Sequence, residues 1–176
     1  MVSTVTALGT RLTAAHAAAA AVRDPELPML TLADLGVLRD VRLDADGGVT
    51  AVLTPTYTGC PALAEMRADL VAALHDAGFA EARVETQLSP AWSTDDITAA
   101  GRRKLAEAGI APPGAAPRRA PGPVPLTLGA TRVADVHCPR CGSADTEETS
   151  RFGATACKAL RRCRACREPF EQVKEI

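Results

Sequence analysis

The sequence predicts an α+β protein with two domains and a linker between them. Hydrophobic patterns of strand and helix period follow one another in the order α-β-β-α-β-α through residues 1–110, which is typical of a small two-layer domain. Residues 111–130 are rich in proline, which predicts an extended linker without a core of its own. Two pairs of closely spaced cysteines then lie within residues 131–176 and predict a second, metal-binding domain.

Composition limits the classes of protein to which the chain can belong. It has 176 residues, a formal net charge of −1 and 47% hydrophobic residues, which suits one ordinary domain with a mini-domain. The near-neutral charge gives no global attraction to nucleic acid or to an anionic membrane. We find neither a secretory signal pattern nor an apolar run of about 18 residues. We therefore expect a cytoplasmic protein whose six cysteines serve metal or redox chemistry rather than disulfides.

The first elements are bounded by residues that break helices or favour turns. An alanine-rich, helix-prone stretch ends at residues 24–28, because Pro25 and Pro28 cannot sit in a helix interior. A strand through residues 41–43, a turn over residues 44–48 and a returning strand over residues 49–53 predict an antiparallel hairpin. Asp24 and Glu26 could form an acid/base pair, but a solvated turn is the simpler interpretation.

Cys60 is the first candidate site residue. It lies in the segment Thr54-Pro55-Thr56-Tyr57-Thr58-Gly59-Cys60-Pro61, between the second strand and a helix that runs to Gly78. Proline suits the first helical position, so we expect the helix to begin at Pro61. Its first-turn N–H groups and its dipole would favour the thiolate of Cys60, the form that attacks electrophiles or binds metal. A small buried cysteine at a helix end is the alternative.

The remaining elements of the first domain are a strand and a helix. Alternating residues within 79–88 predict a third strand. Ser93-x-x-Asp96 resembles a capping box and predicts the start of a helix that closes at Gly109. Trp92, the only tryptophan, is expected to anchor this helix on the sheet.

The strongest motif consists of two Cys-x-x-Cys knuckles in residues 131–176. Four thiolates on two facing knuckles form a tetrahedral site, which predicts a zinc-ribbon-like domain with the four ligands Cys138, Cys141, Cys163 and Cys166. Structural zinc is the first interpretation, and an iron–sulfur cluster or a redox dithiol are the alternatives. Cys157 is a further thiol in this domain. It could be a spare residue, an alternative ligand or a reactive group beside Lys158.

Four blocks of this sequence resemble the D subunits of bacterial phenylacetyl-CoA epoxidase. They are residues 24–28 with 34–38, 54–61, 89–96 through 109–113, and 150–160 with 163–170. Residues 1–110 are also similar to the wider family of metal–sulfur cluster assembly factors, through the Asp-Pro-Glu and Gly-Cys-Pro signatures. Unlike the epoxidase subunits, the chain ends in Val-Lys-Glu-Ile without a cysteine. That departure narrows the candidate metal ligands to the four cysteines of the two knuckles, with Cys157 as an alternative ligand.

The resemblance implies an accessory maturation factor in aerobic phenylacetate catabolism, and not an enzyme. By analogy, Cys60 would handle an iron–sulfur cluster transiently, Asp24 and Glu26 would line its loop, and the iron–sulfur reductase of the epoxidase would be the client. Two other classes stay open. A thiol enzyme would use Cys60 as nucleophile and need a nearby base. A nucleic-acid-binding ribbon would use Arg161, Arg162, Arg164 and Arg167, although such a patch could equally meet an acidic protein.

Overall fold

The structure, a computed structural model, describes residues 2–116 and 136–176, with side chains from residue 8 onward. The described residues divide into two compact units. Unit 1 lies within Met1–Trp92 and Asp96–Lys104, and unit 2 lies within Ser93–Asp95 and Leu105–Ile176. None of the helices in these described ranges is long and apolar enough to cross a membrane.

Unit 1 confirms the predicted order of three helices and three strands. The elements are α1 (Val2–Ala21), β1 (Leu38–Leu43), β2 (Val49–Leu53), α2 (Leu63–Asp76), β3 (Ala82–Thr86) and α3 (Ala99–Glu107), whose last residues belong to unit 2. The sheet has the order β1-β2-β3, with β1 and β2 antiparallel and β2 and β3 parallel. The parallel pair needs a crossover connection, which α2 supplies.

Turn chemistry and helical periodicity explain the centre of this unit. In the hairpin turn, Gly47 has a φ of 85°, and the Asp44 N–H donates to the Gly48 carbonyl at 2.9 Å. On α2, Met66, Leu70 and Leu74 recur with helical period and form a buried apolar stripe. These side chains contribute to the core, and every residue of β2 is buried as well.

The third helix begins later than the sequence predicted. Residues 94–96 form a short 3₁₀ turn, and α3 starts at Ala99. The cap is Thr98, whose Oγ1 accepts the Gly101 N–H at 3.0 Å, so the capping box predicted at Ser93 is wrong. Trp92 is buried, and its indole N–H donates to the Leu35 carbonyl at 2.8 Å. Trp92 therefore anchors the 31–36 loop.

That loop is fixed by charged side chains as well. The Asp34 carboxylate accepts the Thr31 N–H at 3.0 Å and pairs with Lys104 Nζ at 2.5 Å. Burial raises the pKa of Asp34, but the hydrogen bonds from Lys104 and Thr31 outweigh it and lower the pKa below its usual value. Gly101 lies so close that a Cβ atom there would be 2.7 Å from the Asp34 carbonyl oxygen. The loop and α3 are thus tightly fitted.

Unit 2 is built on a four-stranded sheet of order β4-β7-β6-β5. Its strands are β4 (Ile110–Ala111), β5 (Thr146–Ser150), β6 (Lys158–Cys163) and β7 (Pro169–Val173). The three later strands form an antiparallel meander, and β4 adds in parallel to β7.

Residues from before and within the predicted linker belong to this second unit. Besides β4, the Thr94 N–H donates to the Ile176 carbonyl at 3.2 Å, and the Gly114 N–H donates to Glu175 Oε1 at 3.1 Å. Of the predicted linker, residues 117–130 lie outside the described residues. The domain bounds 1–110, 111–130 and 131–176 therefore stay a prediction. Strand β4 spans the bound between residues 110 and 111.

Candidate functional site

The four cysteines of the two knuckles meet beside the sheet of unit 2. The first knuckle, residues 138–141, precedes β5, and the second begins at Cys163, the last residue of β6. Cys138 and Cys163 are buried, whereas Cys141 and Cys166 are exposed. Within the described parts of the chain, no other group of three or more histidine, cysteine, aspartate or glutamate side chains is arranged to hold an ion.

Both knuckles turn the backbone in the same way. The residue that follows the second cysteine has positive φ in each, with 75° at Gly142 and 64° at Arg167. In the first knuckle the Gly142 N–H donates to the Cys138 carbonyl at 2.8 Å. In the second, the Cys166 N–H lies 3.5 Å from the sulfur of Cys163. These turns bring the two cysteines of each knuckle to one side of the chain.

The distances between the sulfur atoms fit one tetrahedral ion. All four lie within 4.8 Å of one another, with 3.8 Å between Cys138 Sγ and Cys166 Sγ and 3.5 Å between Cys141 Sγ and Cys163 Sγ. Zn–S bonds of about 2.3 Å in a tetrahedron put the sulfurs about 3.8 Å apart. An iron–sulfur cluster spreads the four thiolates over two or four irons and would hold thiolates on different irons farther apart. The four cysteines could therefore bind a single ion without rearrangement.

The four thiols do not hold their protons equally. The backbone N–H of Cys166 lowers the pKa of Cys163 to about 7, against the opposing effect of burial. At Cys141 the Ser143 N–H lowers the pKa, but the hydrogen bonds to Cys163 and Cys166 outweigh it and raise the pKa to about 12. A metal ion binds thiolates, so it must displace these protons, and its affinity rises with pH.

The same cysteines are part of the core of unit 2. Cys138 and Cys163 form one buried cluster with Ala111, Val136 and Phe170. Ala111 comes from β4, so the strand at the start of the predicted linker packs directly in this core. Loss of Cys138 or Cys163 would therefore disturb both the packing of this core and the candidate metal site.

Cys157 lies outside the group of four thiols. It is half-buried in the loop between β5 and β6, where Thr155 Oγ1 lies 3.1 Å from its sulfur. Its carbonyl accepts the Lys174 N–H at 2.9 Å. The ligand role considered for Cys157 thus has no support in the sulfur geometry.

The basic patch considered from the sequence is divided by contacts within unit 2. Arg161 is buried, and its guanidinium donates to Thr146 Oγ1 at 3.1 Å and to Gln172 Oε1 at 3.2 Å. Arg164 is exposed but pairs with Glu147 at 2.9 Å. Arg162 and Arg167 are exposed as well. The predicted cluster of four arginines is wrong, because β6 alternates inward and outward side chains and turns Arg161 inward.

The Cys60 loop ends before the helix begins. Helix α2 starts at Leu63 with its cap at Ala62, so the prediction that Pro61 is the first helical residue is wrong. Two successive turns intervene: the Cys60 N–H donates to the Tyr57 carbonyl at 3.2 Å, and the Leu63 N–H donates to the Cys60 carbonyl at 3.3 Å. Cys60 is half-buried there. The action of the helix N–H groups on its sulfur stays a prediction.

Asp24 and Glu26 have different surroundings. Asp24 is buried, and its Oδ1 accepts the N–H groups of Glu26 at 2.9 Å and Leu27 at 2.8 Å, which closes the 24–28 loop. Glu26 is exposed. Neither forms a metal-binding group of three or more ligands with Cys60 in the described residues. The structure thus gives Asp24 a structural role that the sequence did not identify, and their part in cluster handling stays a prediction.

Comparison with known proteins finds one family match in each half of the chain and one relative along most of its length. Residues 13–86 match the iron-sulfur cluster assembly protein family, and residues 123–174 match the PaaD zinc beta ribbon domain. A protein from Escherichia coli (strain K12), provisionally named as the D subunit of 1,2-phenylacetyl-CoA epoxidase, is 43% identical over 155 residues, which cover 88% of this chain and 87% of the relative.

Solved structures resemble unit 1. A domain of unknown function (DUF59) from Bacillus anthracis has a TM-score of 0.52 and 24% identity, and the match covers 57% of this chain and 96% of that one. A conserved hypothetical protein from Thermotoga maritima has a TM-score of 0.45 and 26% identity, over 53% of this chain and 91% of that one. The first of these supports the fold alone.

Proposed function

Because the chain belongs to the family of phenylacetyl-CoA epoxidase D subunits, we propose that it is a non-catalytic accessory factor of the phenylacetyl-CoA ring-1,2-epoxidase system. In this role it assists the assembly or insertion of an iron–sulfur cluster in the reductase component. The observation that carries the proposal is the match of residues 13–86, which include the Cys60 loop, to the iron-sulfur cluster assembly protein family.

Cys60 is the residue that would handle the cluster as cargo. It is half-buried at the end of a loop, which leaves part of its side chain accessible to a partner. A soft thiolate is the ligand that iron–sulfur clusters prefer. Asp24 closes the Asp-Pro-Glu loop through two backbone N–H groups, and in this proposal that loop lines the site of Cys60. Glu26 is exposed and is available to a client or to the cargo.

The four ribbon cysteines have a separate and structural role in this proposal. Cys138, Cys141, Cys163 and Cys166 would hold one Zn²⁺ ion, supported by sulfur separations that suit a tetrahedral ion. When bound, the ion supplies folding energy to unit 2. Two of the four ligands, Cys138 and Cys163, belong to the buried core of unit 2. Buried ligands suit an ion that stays bound better than an iron–sulfur cluster that must be passed to a client.

The proposal is tested by replacing Cys60 with serine. The substitution keeps the size of the side chain and removes the soft sulfur, so the fold should stay intact while support of the client is lost. Cells that carry only Cys60→Ser should assemble a reductase lacking most of its iron–sulfur cluster, measured by iron content and epoxidase activity. Cys157→Ser is the matched control and should support full assembly. A replete reductase in the Cys60→Ser cells would disprove the assigned role of Cys60.

A further inference from the structure

An exposed apolar pair lies on the outer side of the β5–β6 hairpin in unit 2. Phe152 is 64% exposed and Leu160 is 39% exposed. Leu160 on β6 lies directly opposite Ser150 on β5, and the Ser150 hydroxyl donates to the Phe152 carbonyl at 2.8 Å. The Phe152 N–H in turn lies 3.2 Å from the Ser150 hydroxyl oxygen. These contacts hold the Phe152 segment beside the residue that faces Leu160.

Three cationic residues neighbour this pair in the sequence or in the sheet, the first being Arg151, which directly precedes Phe152. Lys174 Nζ lies 4.9 Å from the centre of the Phe152 ring and donates to the Arg151 carbonyl at 3.3 Å. Arg162 lies on β6 two positions beyond Leu160, so it projects from the same face of the sheet. We call Arg151, Phe152, Leu160, Arg162 and Lys174 the hairpin patch.

The carboxylates directly opposite Leu160 and Arg162 are engaged with other cations. Glu171 lies opposite Leu160 on β7 but pairs with Lys158 Nζ at 2.9 Å. Glu147 lies opposite Arg162 on β5 but pairs with Arg164 at 2.9 Å. Within the part of the chain that the structure describes, the three cations of the patch form no ion pair.

We infer that the hairpin patch docks an acidic segment of a partner protein that presents an apolar side chain to Phe152 and Leu160. Aromatic residues and arginine are enriched in protein interfaces, and an apolar centre with a charged rim is their common arrangement. The positive rim selects a partner of opposite charge and speeds encounter. This inference rests on the proposed function for the partner, which is sought in the reductase component of the epoxidase.

A protein segment fits this surface better than a nucleic acid does. Single-stranded nucleic acids bind through several aromatic rings on which successive bases stack. Here Phe152 is the one ring of the patch, Lys174 already lies over it, and its neighbour Leu160 is aliphatic. Arg164, which could extend a phosphate track along the hairpin, is bound to Glu147.

Binding of the full-length protein to the purified reductase tests the inference. Phe152→Ala and Arg162→Glu should each weaken binding by about tenfold or more, because one removes the apolar anchor and the other reverses a rim charge. Wild-type binding should also weaken as salt rises. The matched controls are Leu88→Ala, at an exposed leucine of unit 1, and Arg103→Glu, at an exposed arginine of α3 in unit 1. Both controls should bind within about twofold of wild type.

The outcomes are separable from those of the Cys60 test. Unchanged binding by both patch variants, or no binding of the reductase by the wild type, overturns the inference. Binding of a single-stranded RNA oligomer that is lost in the same variants, with reductase binding intact, overturns it in favour of nucleic acid. Cys60→Ser should bind the reductase normally, so a failure of cluster assembly in that variant tests the proposed function alone. Metal content confirms that each variant retains the folded ribbon.

Discussion

Units 1 and 2 are stabilised in different ways, and their cysteines show the contrast. In unit 1 the core consists of aliphatic side chains such as Leu30, Leu53 and Leu70, all fully buried, while Cys60 lies in a loop outside it. In unit 2, two of the four knuckle cysteines are themselves members of the small buried cluster. We therefore expect a substitution of Cys60 to leave the fold intact and a substitution of Cys138 or Cys163 to disrupt it.

The largest expected effect follows from removing one ribbon ligand. Cys163→Ser should release the metal and unfold unit 2, because three thiolates hold the ion poorly and the folding energy supplied by structural zinc is about 10 kcal/mol. Metal analysis should give one zinc per wild-type chain, without visible absorption, and none for the variant. Unit 1 should keep its own thermal transition, and a chelator should reproduce the effect.

Cys157→Ser is the matched control for this prediction. Its sulfur lies outside the group of four, so the variant should retain one equivalent of zinc. Equal loss of zinc from the two variants would make Cys157 a ligand. Iron with visible absorption in the wild type would instead favour an iron–sulfur cluster at the knuckles. Loss of both thermal transitions in Cys163→Ser would show that unit 1 also depends on the ribbon cysteines.

The parts of this structure that the sequence predicted are those determined by local patterns. Turn residues and hydrophobic periods determine the hairpin and helix α2, and the spacing within each knuckle identifies the four thiols. Strand β4 could not be predicted, because it has two residues and depends on pairing with β7 far along the chain. Such pairing leaves no periodic signal.

Three other differences have explanations in the sequence. Arg161 alternates with Ala159 and Cys163, so strand period places it on the face of a metal ligand and therefore inside. The start of α2 was misplaced because proline at the first helical position is only a preference, and the turns at Tyr57 and Cys60 delay the helix. Thr98 is an ordinary capping residue that the stronger-looking Ser93 motif concealed.

A smaller effect is expected from the left-handed residues of the two knuckles. Gly142 has a φ of 75° and open space where a Cβ atom would lie, so Gly142→Ala should cost unit 2 about 1–2 kcal/mol through backbone strain alone. Arg167→Gly should stabilise unit 2 by up to about 1 kcal/mol, because it relieves the same strain at a φ of 64°. Urea unfolding in the presence of zinc measures both changes.

Gly47→Ala provides the control in the other unit. Gly47 has a φ of 85° and equally open surroundings, so its substitution should destabilise unit 1 and leave unit 2 unchanged. Equal effects of Gly142→Ala and Gly47→Ala on both units would show that they unfold together. A destabilising Arg167→Gly would mean that the arginine side chain contributes more than the strain costs.

The smallest expected effect concerns Asp34 and separates the pH responses of the two units. The folded-state pKa of Asp34 is below its ordinary value of 3.8, so its carboxylate contributes stability above that value, and the contribution is lost as pH falls through the folded pKa.

Asp34→Asn removes the charge that pairs with Lys104. The variant should be less stable than wild type at pH 7, and the difference should shrink as pH falls below 3.8 and disappear once the pH lies below the folded-state pKa. Unfolding followed by the fluorescence of Trp92, the only tryptophan, reports unit 1 even when acid releases metal from unit 2. Asp69→Asn, at an exposed position of α2, should show no such pH dependence. A difference for Asp34→Asn that stays unchanged however far the pH falls below 3.8 would mean that the side chain acts through its hydrogen bond to Thr31 and not through its charge.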